Sequence, residues 1–452
     1  MVWQRWVLIG LLAASLLLHA VAIERPEAPV FDEVHFATYA SAYASDRAFI
    51  DIHPPLGKVL FALPLVLDPS MIQDREFISF MRNKYNGTFL FSVPGEGYAS
   101  FPYVALRLVS VLFGLLLILA VYALLTALTG NETTALLAAF LITLENALLL
   151  DTRGIFLNGM YLTLGFFALA AAVGKHSRPI FGGILFGLAL SVKLVAIVFL
   201  GPFIIAVLAR DFLRRELLPS FQRMGHFLAA GAATFALVLL LVNNLLLPLD
   251  SRIALYREAF NYPEKSPAEV ERMLDRIPTP LKWVITSVLE FDISVSGYTG
   301  GALPHPRQST WYEWPFMREP IPYFIGGGLG SDAAMIALVG NPVVWGGSII
   351  IMILGVIFFR KFSDDRLTRR AFIFLLAGYL TALFPFMLVG RPAFLYHYFP
   401  ALIFAIGGSS LVIIEYLKRQ PVVIRRLLAS LLVVAVAGGF VLASPYTYGF
   451  ML

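Results

Sequence analysis

The chain contains no cysteine. That excludes a disulfide framework, a zinc–thiolate centre, an iron–sulfur cluster and a cysteine nucleophile. Charge is also scarce, with Asp, Glu, Lys and Arg making up only 14% of 452 residues, against about 25% in a soluble domain. No Walker loop, dinucleotide fingerprint, HExxH pair or GxSxG elbow is present. The glycine-rich run Gly326-Gly327-Gly328-Leu329-Gly330 follows no strand-like segment and reads as a hinge. A nucleotide-activated substrate therefore has no recognisable site. Internal repeats, heptads and low-complexity tracts are absent too.

What is present is apolar. Hydrophobic residues make up 59% of the chain and the mean hydropathy is +0.79. A membrane-crossing helix needs about 20 mostly apolar residues. Eleven segments qualify, at about 6–23, 102–128, 133–150, 154–174, 179–192, 194–209, 224–247, 335–359, 371–388, 394–416 and 422–443. No stretch is left for a soluble domain with its own core, so residues 1–452 read as one all-α, polytopic membrane unit. With the N-terminus inside, the inner loops receive Arg5; Lys175 and Arg178; Arg210, Arg214, Arg215 and Arg223; Arg360, Lys361, Arg366, Arg369 and Arg370; and Lys418, Arg419, Arg425 and Arg426. Only six carboxylates join these sixteen cations: Glu132, Asp211, Glu216, Asp364, Asp365 and Glu415. Such loops obey the positive-inside rule, so the pI near 9.3 reports topology and not a nucleic-acid partner. The first span also has the form of a signal peptide, with Ala20-Val21-Ala22 as a small-residue cleavage site. Cleaved or retained, it leaves two long segments outside, 24–101 and 248–333, each mixing amphipathic stretches with Pro and Gly and expected to lie on the membrane surface. Asn86-Gly87-Thr88 is a sequon on that side.

Charges at the membrane boundary are costly and point to function by default. Phe31-Asp32-Glu33-Val34-His35-Phe36 follows the first span. Asp32 can be a helix N-cap with Glu33 in the first turn, or a carboxylate at a cavity mouth acting as general base on a hydroxyl. Asp51-Ile52-His53-Pro54-Pro55-Leu56-Gly57-Lys58 opens a helix running to about Leu67, its prolines setting the entry. There His53 is either a cap or a pocket imidazole, and Lys58 either snorkels or meets an anion. Arg107, Arg153, Lys193 and Arg391 stand at the external ends of spans. Singly each is a snorkelling anchor; together they suit a phosphate held at the interface. Glu145 and Asp151 are alternative partners that would neutralise Arg153. His305, Trp311-Tyr312-Glu313-Trp314 and Tyr396-His397-Tyr398 add aromatic and imidazole surface, as an interfacial belt or as faces for a sugar or polyprenyl chain. A lipid-phosphate donor fits this distribution, its tail in the bilayer and its head among the cations.

These motifs together resemble the protein O-mannosyltransferases, polytopic enzymes of the GT-C glycosyltransferase type. The matching blocks are Phe-Asp-Glu-Val-His-Phe at 31–36, His-Pro-Pro-Leu-Gly-Lys at 53–58, Leu-Glu-Asn-Ala-Leu-Leu at 144–149 and Ser-Val-Lys at 191–193. They continue with His-Pro and Trp-Tyr-x-Trp-Pro within 305–315, Gly-Asn-Pro-Val-Val-Trp at 340–345 and Phe-Leu-Tyr-His-Tyr-Phe-Pro-Ala-Leu at 394–402. The resemblance implies a GT-C fold of about eleven transmembrane helices, with amphipathic helices in the first external loop. It also implies transfer of mannose from a polyprenyl-phosphate, dolichyl-phosphate-like donor to Ser or Thr hydroxyls of exported proteins, with inversion. Asp32, with Glu33 beside it, then takes the acceptor proton. Arg107, Lys193 and Arg391, backed by Arg153, receive the lipid phosphate, while Lys58, His53, His305, His397 and Tyr398 shape the donor pocket. The first span is implied to be a retained anchor.

Three departures stand out. Segment 248–333 is too short for the MIR domain of eukaryotic members, which implies a prokaryotic form in the cytoplasmic membrane, with its site on the outer face. Asn158 stands where the pattern has an aspartate, so that carboxylate's role is lost. Gly154 stands where a bulkier residue is usual. No cofactor is required by this reading, although the paired carboxylates leave room for a divalent ion. Two alternatives remain on sequence: a GT-C enzyme moving another sugar, such as aminoarabinose, to a lipid or glycan, and a lipid-sugar transporter. The lack of repeats and of mid-membrane charges disfavours the transporter.

Overall fold

Where Leu, Ala, Val and Phe run on without interior charge, the backbone closes its hydrogen bonds within the segment, the only economical solution in lipid. The computed structural model follows this rule. It describes residues 2–68, 70, 98, 101–174, 177–212, 217–249, 252, 276–299, 305–326, 335–362 and 365–449. The sequon at Asn86, the basic loop residues Lys175, Arg214 and Arg215, Glu216, Asp364 and most of the glycine run lie outside the described residues.

The helices are α1 (Val2–Ala20), α2 (Glu33–Ala44), α3 (Leu56–Leu67), α4 (Tyr103–Thr129), α5 (Glu132–Thr143), α6 (Asn146–Asp151), α7 (Asn158–Val173), α8 (Pro179–Val192), α9 (Leu200–Phe212), α10 (Leu217–Leu246) and α11 (Thr279–Thr299). A short ribbon, β1 (Pro322–Ile325) and β2 (Met335–Ala337), precedes α12 (Pro342–Phe362), α13 (Arg366–Leu383), α14 (Phe399–Lys418) and α15 (Val422–Tyr448). Among the described residues six helical segments are long and apolar enough to cross a membrane: Trp3–Ala20, Tyr103–Thr129, Leu218–Leu246, Arg366–Leu388, Leu395–Lys418 and Val422–Tyr448. The other five expected spans coincide with shorter apolar helices.

Three expectations change here. Residues 335–341 form a strand and a loop, so the eighth span begins at Pro342, where Asn341 caps the helix by accepting from the amides of Val343 and Val344. Strand β1 stands directly before the glycine run and pairs antiparallel with β2 in the register Phe324↔Ile336 and Ile325↔Met335. A four-residue strand buried at one end is too short for alternation to show in the sequence. The expected span at 133–150 is also interrupted. Glu145 takes an extended conformation and its carboxylate accepts from Leu148 N at 2.7 Å, capping α6 as a separate helix.

Helix α14 is the centre of the bundle, buried from Phe399 to Val412 between α12, α13 and α5. Helices α4, α7, α8 and α10 pack in series beside it. At the α8–α10 contact, a Cβ on Gly183 or Gly187 would collide with the carbonyls of Phe227 and Gly231. Glycine there lets the backbones approach as small residues do between membrane helices. Large apolar side chains face outward on α10 (Leu218, Phe221, Leu237, Leu245) and α15 (Val423, Val434, Val441, Leu442), as a lipid-facing surface requires.

Helix α2, expected on the membrane surface, has no exposed residue. Phe36, Ala37, Ala40, Ser41 and Tyr43 are buried in the protein, and α2 packs on α3. Helix α3 is closer to expectation, exposing Leu63, Val66 and Leu67 on one side.

Candidate active site

The turn into α2 places two adjacent carboxylates in opposite surroundings. Phe31 takes a positive φ of 48°, its amide donates to Tyr323 O at 2.8 Å, and its ring stacks on Tyr323 with centroids 4.6 Å apart. With Phe31 fixed, Glu33 is sealed in the protein while Asp32 keeps partial access. Glu33 is fully buried. The Arg107 guanidinium donates to both its oxygens through Nε and Nη2, each at 2.8 Å. Val30 N, Ile155 N and the Tyr98 hydroxyl donate to it as well, at 2.9, 3.0 and 3.1 Å. Arg107 spends its remaining donors on Ile23 O and Pro26 O, at 2.7 and 3.3 Å, and its plane lies over Tyr103. The pair clamps the first loop to α4 and to the turn before α7, so the structure does not place Arg107 among the cations open to a ligand.

Asp32 holds the N-cap position of α2 without capping it: its side chain makes no cap hydrogen bond. The carboxylate is half-buried, and no described residue donates to it. Burial raises its pKa above the ordinary value of 3.8 and Asp51 adds to that, while His35, Lys193 and His305 oppose it. These charged groups are close enough to act on Asp32 and mark out the site around it.

Asp51 and Lys58 close the near wall. Lys58 Nζ donates to Asp51 Oδ2 at 2.8 Å and to His53 O at 2.5 Å, and it lies over the rings of Tyr39 and Phe49. Burial alone would raise the Asp51 carboxyl, but Lys58 and His53 hold it below its usual value. Burial, with Lys193, Lys58 and Arg391 nearby, pushes His53 down to about 3 against the pull of Asp51. Its imidazole is therefore neutral at physiological pH. A cleft opens here, between His53 and Lys58 on one side and Leu239, Glu290 and Ile293 of α10 and α11 on the other.

Lys193 forms the far wall at the end of α8. Its Nζ donates to Asn158 Oδ1 at 2.9 Å and lies 4.9 Å from the centroid of Tyr396. Asn158 Nδ2 in turn donates to Asp151 Oδ1 at 2.9 Å. The Tyr323 hydroxyl reaches the same oxygen at 3.4 Å. Arg391 acts electrostatically on both His53 and Lys193. His305 sets its ring edge against Phe394, 5.1 Å between centroids. His397 is buried among Trp314, Phe386 and Tyr396, and its Nδ1 accepts from Phe394 N at 3.0 Å.

Two further candidates lie apart from this group. Arg153 donates to the carbonyls of His19, Val21 and Thr447 and lies over the Tyr448 ring, tying α1 to α15. Neither Glu145 nor Asp151 neutralises it, because Glu145 is spent on Leu148 N and Asn341 N and Asp151 on Asn158. Tyr398 is fully buried against Trp345, with its hydroxyl on Tyr379. Gly154 is explained locally, since a Cβ there would strike the Phe156 ring. Sequence reasoning left Asp51, Asp151, Asn158 and Tyr323 out of the site. The first two carried a signal, being charges at span ends. Tyr323 had none. Among the described residues no three His, Asp or Glu side chains gather as a metal site.

The family profile described as dolichyl-phosphate-mannose-protein mannosyltransferase matches residues 9–247. The chain belongs to this family. A second profile, the C-terminal four-helix region of protein-O-mannosyltransferase, matches residues 293–452. Among curated relatives, dolichyl-phosphate-mannose–protein mannosyltransferase 1 of Candida albicans is 27% identical over 247 residues, 50% of this chain and 26% of that protein. Its namesake in Schizosaccharomyces pombe is 31% identical over 204 residues, 42% of this chain and 21% of that protein. The chain thus spans about a quarter or less of these relatives' length. The solved Saccharomyces cerevisiae Pmt1-Pmt2 complex bound to the sugar donor has the same fold, with a TM-score of 0.75 over 99% of this chain and 90% of that one, at 14% identity. The Archaeoglobus fulgidus oligosaccharyltransferase shares it more distantly, with a TM-score of 0.54 over 99% of this chain and 56% of that one, at 14% identity. This likeness is one of GT-C architecture.

Proposed function

We propose that the chain transfers mannose from a polyprenyl-phosphate donor to Ser or Thr hydroxyls of exported proteins, on the outer face of a prokaryotic cytoplasmic membrane. The observation that carries this reading is the state of Asp32: a half-buried carboxylate at the mouth of a cationic site, uncommitted to a cap, while its neighbour Glu33 is fully consumed. Membership of the mannosyltransferase family supplies the sugar and the acceptor class.

The chemistry follows from the placement. The acceptor oxygen attacks the anomeric carbon while Asp32 takes the hydroxyl proton. The carbon–oxygen bond to the lipid phosphate breaks on the opposite side, so the configuration inverts. The bonding pair stays on the phosphate oxygen, where Lys193 and Arg391 meet the growing charge. His53, neutral at working pH, and His305 and His397 with their aromatic neighbours shape the sugar pocket. Glu33 and Arg107 hold the loop, and Lys58 holds Asp51.

The test uses purified enzyme in lipid, radiolabelled polyprenyl-phosphate mannose and a Ser/Thr-rich exported peptide. Wild type should label the peptide, and Asp32→Asn should lower the rate by about 10²- to 10⁴-fold while remaining folded, since no hydrogen bond to the carboxylate is lost. Full activity in the variant would remove Asp32 from the mechanism. No label with intact folding would turn attention to another sugar or a lipid acceptor.

A further inference from the structure

The mechanism above leaves the buried carboxylate of Asp151 unused. Asp151 is 1% exposed at the end of α6. Its Oδ1 accepts from Asn158 Nδ2 and, more weakly, from the Tyr323 hydroxyl. Its Oδ2 is buried and accepts no hydrogen bond among the described residues. A buried carboxylate with one bare oxygen is costly unless a cation compensates it. The adjacent cation, Arg153, does not, for its donors go to three backbone carbonyls. The nearest compensating cation is Lys193, on which Asp151 and Asp32 are the leading negative charges. The route between them is material: carboxylate to amide at 2.9 Å, and amide to ammonium at 2.9 Å.

We propose that Asp151 is a positioning residue that acts through Asn158 to hold Lys193 in place for the donor's phosphate. An amide is well suited to the middle place. Its nitrogen must donate to the carboxylate, so its oxygen is left facing the ammonium, which fixes both the amide's orientation and the direction of Nζ. Asn158 thus does not forfeit the carboxylate that the resemblance led one to expect at that position. The charge stands one side chain further back, at 151. The same Asp151 oxygen also meets Tyr323, whose backbone carbonyl and ring fix Phe31 beside Asp32. The relay therefore joins the phosphate wall to the acceptor wall.

This inference rests on the lipid-phosphate reading, and two assays separate them. Wild type, Asp151→Asn and the exchange variant Asp151→Asn with Asn158→Asp are compared in lipid nanodiscs for mannose transfer and for equilibrium binding of sugar-free polyprenyl phosphate. Asp151→Asn keeps a hydrogen-bonding side chain but loses the charge. It should raise the donor KM and weaken polyprenyl-phosphate binding by about tenfold or more, with the acceptor-peptide KM unchanged within about twofold. The exchange variant restores a carboxylate, now directly on Lys193, and should recover most of both. Unchanged donor KM and lipid binding in Asp151→Asn would overturn the proposal. So would a loss that the exchange variant fails to recover while melting like wild type. If Asp151→Asn does not fold, the exchange variant alone decides by the same two readouts. Wild type that binds polyprenyl phosphate but transfers no mannose would refute the proposed function and leave the relay to be judged by binding.

Discussion

Glu33 and Asp32 are neighbours whose carboxylates meet different fates, and substitution should separate them. Removing one partner of a buried, hydrogen-bonded ion pair costs about 3–5 kcal/mol, because the other charge is left without compensation. Glu33→Ala should therefore lower folded yield and the melting temperature, read by tryptophan fluorescence, before it affects chemistry; a variant as stable as wild type would contradict the clamp. Asp32 should behave in the opposite way. Its folded pKa is raised by burial, so the folded state holds that proton more tightly than the unfolded chain. The associated stability is present below the unfolded pKa and is lost as pH rises through the folded value. Asp32→Asn should then melt higher than wild type at neutral pH, and the gap should close on acidification. The acid limb of the rate should lie above the range of an ordinary aspartate and vanish in that variant. His53, held near 3, contributes no limb between about pH 5 and 8, so His53→Gln should change the rate there without changing the profile's shape.

At the scale of elements, capping side chains decide where apolar runs break. Asn341 accepts from two amides of α12, and its Nδ2 donates to Leu144 O and Val436 O at 2.8 and 2.9 Å. It therefore joins α12, the α5–α6 break and α15. Asn341→Ala removes a cap and the side-chain donor to both carbonyls, which should cost about 2 kcal/mol or more. Thermal unfolding in detergent measures this, and a change below about 0.5 kcal/mol would be that of an ordinary surface substitution. Positions of most helices were legible because a long apolar run has one solution in lipid. The break at Glu145 and strand β1 were not. Both are set by contacts with residues far along the chain, Asn341 for the first and Met335–Ala337 for the second.

For the whole molecule, the cysteine-free sequence makes orientation testable directly. With basic loops inside, a cysteine introduced as Ser70→Cys should react with a membrane-impermeant maleimide in intact cells, and Gln420→Cys only after permeabilisation. The reverse pattern would invert the proposed topology and put Asp32 on the wrong side for exported acceptors.

Composition and charge distribution carried the membrane character, the approximate spans and the short list of chemically interesting residues, because each depends on local hydropathy or on charges out of place. Roles within that list came from folding. Glu33 became a clamp through Arg107, 74 positions away, and Asp51 became the partner of Lys58. Asp151 reached Lys193 through Asn158, and Tyr323 arrived from a distant strand to stack on Phe31. Composition can show that a charge is expensive where it stands. Which opposite charge or donor lowers that cost depends on distances of 3 to 5 Å between segments remote in the chain, and only the packed bundle sets those.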